Sequence, residues 1–265
     1  MEITLTTGIL LIISGIMVGF INTLAGGGTV ISISLFMFLG LPPVVANGTN
    51  RIPIIFQTLT AVILYQRKKL IDWKKGIILS IPIILGNLTG AFLAGILPGK
   101  IFSFIFAGIV LLFGVSMIFD PNRWIHENKE LQIKPVTILQ YVTFFFLGIY
   151  GGFAHVGIGY MYLGMLVLVS GYDLLKANVL KIVFVMLSVP FSLAIFASQG
   201  HVDWGAGLIH ASGNIIGAAI GVRFAIKKNI KFIRYIVLSL VALVILQLLG
   251  IVTPEKILVI IKPGN

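Results

Sequence analysis

Cysteine is absent from all 265 residues, which removes disulfides, thiolate metal ligands and cysteine nucleophiles together. Charge is nearly as scarce: 10% of residues are Asp, Glu, Lys or Arg, against 58% hydrophobic. A soluble domain carries about 25% charged residues, so a mean hydropathy of +1.10 points to a chain embedded in lipid. Acid is scarcest, with eight Asp and Glu against 19 Lys and Arg. Glu2, Asp72, Asp120, Glu127, Glu130, Asp173, Asp203 and Glu255 all fall at ends or in loops, never inside an apolar run. Membrane-buried carboxylates are what a cation pathway needs, so that class is disfavoured. The net charge of +11 does not indicate nucleic acid, because the basic residues cluster in short loops between apolar runs, as cytoplasmic loops do. Met1–Gly8 has Glu2 and no Lys or Arg, unlike the basic start of a cleaved signal peptide.

What is present is a series of apolar runs, near 8–24, 30–40, 44–66, 76–97 and 101–119, then 136–154, 160–170, 174–198, 205–226 and 232–250. The most polar stretch, 120–135, separates the two sets. The expected organisation is one all-α polytopic membrane domain: a first repeat at 1–119, a linker at 120–135, a second repeat at 136–250 and a tail at 251–265. Adding 131 carries Gly26 to Gly157, Gly28 to Gly159, Ala46-Asn47 to Ala177-Asn178, Asp72-Trp73 to Asp203-Trp204, and Gly86 and Gly90 to Gly217 and Gly221. Upstream the shift is 133, taking Gly15 to Gly148 and Gly19-Phe20 to Gly152-Phe153. The chain has three tryptophans and two fall on this register, each preceded by Asp, which makes the duplication more than a coincidence of abundant glycine.

Loop charge then predicts opposite orientations. The loop Arg67–Lys75 is strongly basic and its counterpart Ser198–Ala206 carries only Asp203, whereas Pro98–Ser103 is nearly neutral and its counterpart Lys227–Arg234 is basic. Basic loops stay cytoplasmic, so the halves read as inverted repeats, a common plan of secondary transporters. The runs at 8–24 and 30–40 are short; a 12-residue helix reaches about 18 Å, too little for a core about 30 Å thick. Each pair is therefore expected to form a re-entrant hairpin, followed by three full crossings. The total is eight to ten membrane helices, with both termini outside.

Glycine breaks interrupt apolar sequence at Gly26, Gly27, Gly28 and Thr29, and again at Gly157, Gly159 and Tyr160. Bare backbone at that depth is tolerated only inside protein or beside a water-filled cavity, and a helix opening there offers unpaired N–H groups to an anion. The other reading of such glycines is close helix packing. Arg51, after Asn47 and Asn50, and Lys181, after Asn178, lie at matching depths in the two halves. Intramembrane cations by default suggest function; snorkelling to the interface is the alternative. Asn22 and His155 complete the candidate set, His155 also as a proton relay. Pro53 predicts a kink in its helix, Asp72 and Asp203 read as helix caps, and Gly86/Gly90 and Gly217/Gly221 as helix contacts. No nucleophile triad, metal-ligand spacing or phosphate loop is evident, so no enzyme activity, metal or cofactor is expected.

Gly19-Phe20-Ile21-Asn22-Thr23-Leu24-Ala25-Gly26-Gly27-Gly28, followed by Asn47-Gly48-Thr49-Asn50-Arg51, resembles the sulfite/organosulfonate exporter family (TauE/SafE, also grouped as toluene sulfonate uptake permeases). The second-half stretches Gly148–Phe153, Gly157-x-Gly159 and Ala177-Asn178-x-x-Lys181 resemble it more loosely, with His155 where the first half has Asn22. The resemblance implies transport of sulfite, sulfonates or related sulfur oxyanions. The expected partners are a small anionic substrate and the lipid bilayer, with no nucleic acid; homodimer formation is left open. A transporter of another anion, an importer, and a non-transporting membrane scaffold or sensor remain the alternatives.

Overall fold

The computed structural model describes residues 3–94, 128–133 and 136–227. The expected runs at 101–119 and 232–250, the tail, most of the linker and the loop Pro98–Ser103 lie outside the described residues. Within them the structure is helical throughout: α1 (Leu5–Leu24), α2 (Thr29–Phe38), α3 (Pro43–Thr49), α4 (Arg51–Arg67), α5 (Trp73–Leu93), α6 (Lys129–Ile133), α7 (Ile138–Phe153), α8 (Ile158–Gly164), α9 (Leu174–Ser198) and α10 (Trp204–Lys227). A π-helical turn, Met165–Val169, prolongs α8. Four of the described helices, α1, α5, α9 and α10, are long and apolar enough to cross a bilayer.

Capping sets where several of these helices start. The Asp72 carboxylate accepts from the Lys75 amide and the Asp203 carboxylate from the Ala206 amide, so both Asp-Trp pairs open helices as expected. Thr137 and Gln140 form a reciprocal capping box at α7. The helix around Arg51 does not merely kink at Pro53. It breaks three residues earlier at Asn50, between α3 and α4. Pro53 then lies in the first turn of α4, where its missing N–H leaves no intrahelical bond unmade.

Two glycine-lined helix pairs carry the packing. Gly15 and Gly19 of α1 lie against His210 to Asn214 of α10, and Gly86 and Gly90 of α5 against Phe145 to Ile149 of α7. A Cβ placed on Gly90 would stand 1.8 Å from the Ile149 carbonyl oxygen, and one on Gly217 2.1 Å from that of Ile16. Backbones this close admit no side chain, so the reading of these glycines as helix contacts holds. By the sequence register α1 corresponds to α7 and α5 to α10, so each pair joins a helix of one half to a helix of the other.

The contacts also order the ends of the bundle. The Asp203 amide donates to Thr49 Oγ1 at 2.9 Å, placing the start of α10 beside the start of α4. Trp73 Nε1 donates to Gln66 at 2.7 Å, placing the start of α5 beside the end of α4. Ile3, just before α1, touches Gly205 at the first of these ends, and Gln140 of α7 lies with Lys75 and Leu79 at the other. α1 and α7 therefore enter from opposite ends of α4.

Each then turns back. Phe36 near the end of α2 packs with Leu11 of α1, and Ser170 after the π turn accepts from Gln140 of α7 at 3.0 Å. Both pairs are helical hairpins that return to the end from which they came. The argument from short runs applies only in part: α1 has 20 residues, about 30 Å of helix, because it begins before the apolar stretch. Its return comes from the glycine turn rather than from want of length. His210 joins the arms of the first hairpin, accepting from or donating to Ser32 at 2.9 Å through Nε2 and donating through Nδ1 to the Leu11 carbonyl at 2.8 Å.

Candidate functional site

The tips of the two hairpins meet. α1 ends at Leu24 and the chain turns through Gly26, whose φ of +92° favours glycine. α7 ends at Phe153 and turns through His155 (φ +57°) and Gly157 (φ +69°). A Cβ on Gly26 would lie 2.6 Å from the Gly159 Cα, and one on Gly159 2.7 Å from the Gly26 Cα. Any side chain at either position would force the tips apart. In sequence His155 stands just past the apolar run 136–154; the structure puts it in the left-handed region at the turn, where a residue with a Cβ is uncommon and His is among the tolerated exceptions.

A helix that stops inside a bundle leaves carbonyls unpaired and its negative dipole end exposed. Here each end is met by a cation from the opposite half. Lys181 of α9 donates through Nζ to the Asn22 carbonyl at 3.1 Å and to the Asn178 side-chain oxygen at 2.6 Å. Asn178 Nδ2 in turn donates to the Thr23 carbonyl at 2.9 Å. On the other hairpin, Arg51 Nη1 donates to the Gly151 carbonyl and Nη2 to that of Gly152, both at 2.8 Å. Asn47 Nδ2 donates to the Phe153 carbonyl at 2.7 Å, and Arg51 Nη2 to Asn47 Oδ1 at 3.3 Å. Arg51 is 0% exposed and Lys181 2%, so neither snorkels. Phe196 presents its ring 5.3 Å from the Arg51 guanidinium carbon, a cation–π contact. Among the described residues, neither cation has a carboxylate partner.

Beside the meeting tips lies a small, partly open cavity. Of the fourteen residues singled out from sequence, Asn22, Gly26, Thr29, His155, Gly159 and Lys181 line it. The others stand close behind or apart. Gly27 lies under the Tyr160 phenol, where a Cβ would come within 2.0 Å of its oxygen, and Gly28 packs on Asn22 Oδ1. Gly157 forms the second turn, and Asn47, Arg51 and Asn178 cap the helix ends. Asn50 is buried at the α3–α4 break with neither side-chain polar atom bonded, and the Tyr160 hydroxyl is likewise buried and unpartnered. The amides of Gly27, Gly28 and Thr29 make no backbone hydrogen bond.

The remaining wall was not anticipated: Ile54, Gln57 and Thr58 of α4, Ile158 of α8, and Ile182 and Val185 of α9. A signal existed. Gln57 is a polar residue within an apolar run, and 51, 54 and 58 share a helix face by the three- and four-residue rule. Ile54 and Val185 are also repeat equivalents by the shift of 131, so the wall draws on corresponding positions of both halves. Gln57 accepts from Asn22 Nδ2 through Oε1 at 3.3 Å. The Thr58 hydroxyl is committed to the Ile54 carbonyl at 2.8 Å. The cavity thus has one polar side, built around a buried ammonium, and one branched aliphatic side.

Comparison with known proteins places this architecture. The chain is 29% identical over 228 residues to a probable membrane transporter protein of Sinorhizobium, covering 84% of this chain and 85% of that protein. It is 28% identical over 225 residues to one from Haemophilus influenzae, covering 83% and 86%. With a third from Escherichia coli it shares 25% over 248 residues, covering 92% and 90%. No solved structure matches. The family described as sulfite exporter TauE/SafE matches residues 11–248. With two hairpins whose glycine tips meet inside an apolar helical bundle, the chain belongs to the TauE/SafE sulfite exporter family of membrane transporters.

Proposed function

We propose that the chain is a permease that exports a small sulfur-containing oxyanion, sulfite or an organosulfonate, by alternating access. The observation that carries this is the Lys181 ammonium at the wall of the inter-hairpin cavity. An ammonium has three donors, and two are engaged with Asn22 and Asn178. The third is available to a solute, in a low-dielectric setting where an uncompensated positive charge is worth far more than in water. Gln57 and Thr29 supply neutral donors around the same space. Arg51 acts from behind, adding positive potential while it holds the end of α7, and Asn47, Asn50, Asn178, Gly157 and Tyr160 shape the turns.

The halves act as inverted repeats in this reading. Hairpins entering from opposite ends, pinned by cations of the other half, would open alternately to the two sides. The basic loop Arg67–Lys75 marks the cytoplasmic face and puts both termini outside, in a bacterial cytoplasmic membrane. An inside-negative potential expels an anion with about 2.3 kcal/mol per charge per 100 mV, so export needs no coupling ion.

Ligand-induced thermal shifts of the purified protein test the site, using sulfite, sulfate, thiosulfate, taurine, sulfoacetate and small carboxylates. A sulfur oxyanion should raise the melting temperature of the wild type and leave that of Lys181→Gln unmoved. Glutamine keeps the capping hydrogen bonds within reach and removes the charge. A shift of equal size in both proteins would take Lys181 out of the site.

A further inference from the structure

The cavity holds an acceptor as well as donors, and that combination narrows its ligand. His155 Nδ1 lies 3.1 Å from the Gly151 carbonyl oxygen. A carbonyl can only accept, so the Nδ1 proton is present. The same carbonyl already takes a hydrogen bond from Arg51 Nη1 at 2.8 Å, and a second full positive charge sharing it would be repelled without any carboxylate to offset it. The ring is therefore the neutral Nδ1–H tautomer, and its Nε2 carries a lone pair. His155 lines the cavity. Asn22, which also lines it, has its Nδ2 donated to Gln57 and its Oδ1 buried with no partner. The Asn22 oxygen is turned onto Gly28, so one acceptor, His155 Nε2, accompanies the Lys181 ammonium and the Gln57 amide.

A fully deprotonated oxyanion satisfies the donors but meets the His155 lone pair with negative oxygen. An anion that keeps one acidic hydrogen satisfies both sets. Resting on the anion-permease reading above, we propose that the site selects a singly charged oxyanion that still carries a hydrogen-bond donor, with His155 Nε2 as the residue that reads the hydrogen. Hydrogensulfite is the simplest sulfur member of that class. His155 is then a specificity-determining acceptor, a different role from a relay that takes up and releases the proton. The left-handed turn helps this assignment: it fixes the ring by the Gly151 bond rather than leaving it free to rotate towards other partners.

Among the described residues, the charged and titratable groups around His155 are Arg51 from α4, Lys181 from α9 and Tyr150 at the end of α7, just before the turn, with Tyr160 and Tyr162 in the α8 that follows; the first hairpin contributes the uncharged Asn22 and Thr29. Because Lys181 could itself change charge, the test needs an internal reference. Dissociation constants of sulfite and of methanesulfonate, which stays a monoanion throughout and, lacking the hydrogen, should bind more weakly than hydrogensulfite, are measured on the purified protein from mildly acidic to mildly alkaline pH. The expectation is that sulfite affinity falls about tenfold per pH unit above its second ionisation, following the hydrogensulfite fraction, while methanesulfonate affinity does not. In His155→Asn, chosen because Asn tolerates the left-handed turn, the fall should flatten, since the dianion is no longer penalised. Sulfite and methanesulfonate affinities that run parallel with pH in the wild type would overturn the proposal and leave the anion reading standing. Failure of both anions to bind at any pH would overturn both.

Discussion

Arg51 and Lys181 each do two things at once, and their chemistry separates the roles. Arg51 forms two hydrogen bonds of 2.8 Å to the last carbonyls of α7. Hydrogen bonds to charged groups contribute about 1.5–3 kcal/mol each, and the carbonyls left behind would be buried and unpaired. Arg51→Ala should therefore destabilise the protein by about 3 kcal/mol or more, seen as a clear drop in melting temperature in detergent. A melt unchanged from wild type would show that the α7 end does not need this clamp. Gln57→Leu is the contrasting case. It removes a cavity-lining amide without touching a helix end, so it should weaken anion affinity by roughly tenfold, the size of one hydrogen bond, with a change in melting temperature small beside that of Arg51→Ala. Asn47, Asn178 and the two cations were legible in the sequence as a repeated set. What each cation holds was not, because the acceptors are backbone carbonyls that no side-chain pattern reports.

Helix ends and helix contacts govern the next scale. The first hairpin is legible from its glycines, yet the argument from run length works for α2, with 10 residues, and not for α1, with 20. Hydropathy counts apolar residues, whereas a helix continues through Leu5, Thr6 and Thr7 once Thr4 caps it. Likewise Pro53 signals an irregular helix, but the break falls at Asn50, since proline is accommodated once it stands in a first turn. The α5–α7 and α1–α10 seams are sharper cases, where a glycine pattern four residues apart translates directly into backbone contact. Gly90→Leu should separate α5 from α7, because its Cβ would fall 1.8 Å from the Ile149 carbonyl oxygen. Loss of folded protein on size-exclusion chromatography would be the readout. Gly40→Ala has no Cβ neighbour within 4 Å and meets only its own φ of +95°, so its effect should be far smaller. Equal losses in the two variants would remove close packing as the reason for glycine at Gly90.

At the scale of the whole molecule, the halves hold each other's hairpins. α9 of the second half secures the end of α1, and α4 of the first secures the end of α7, with the cavity at the meeting of the tips. The glycine breaks and the two buried cations made the meeting point legible in outline. The aliphatic wall of Ile54, Ile158, Ile182 and Val185 was not, since branched apolar residues look alike wherever they face. The arrangement has one consequence for energetics: among the described residues Lys181 is held by carbonyl dipoles alone, and in the proposed reading an arriving anion completes it. The most direct measurement is anion flux from proteoliposomes under an imposed membrane potential. Wild-type protein should release sulfite or a sulfonate faster as the potential on the loaded side becomes more negative, with net charge movement. Lys181→Gln, melting at a similar temperature, should be at least about a hundredfold slower, in keeping with the cost of losing a buried charge contact. Wild-type protein that moves no anion at any potential, or a Lys181→Gln variant that moves it equally fast, would contradict the account.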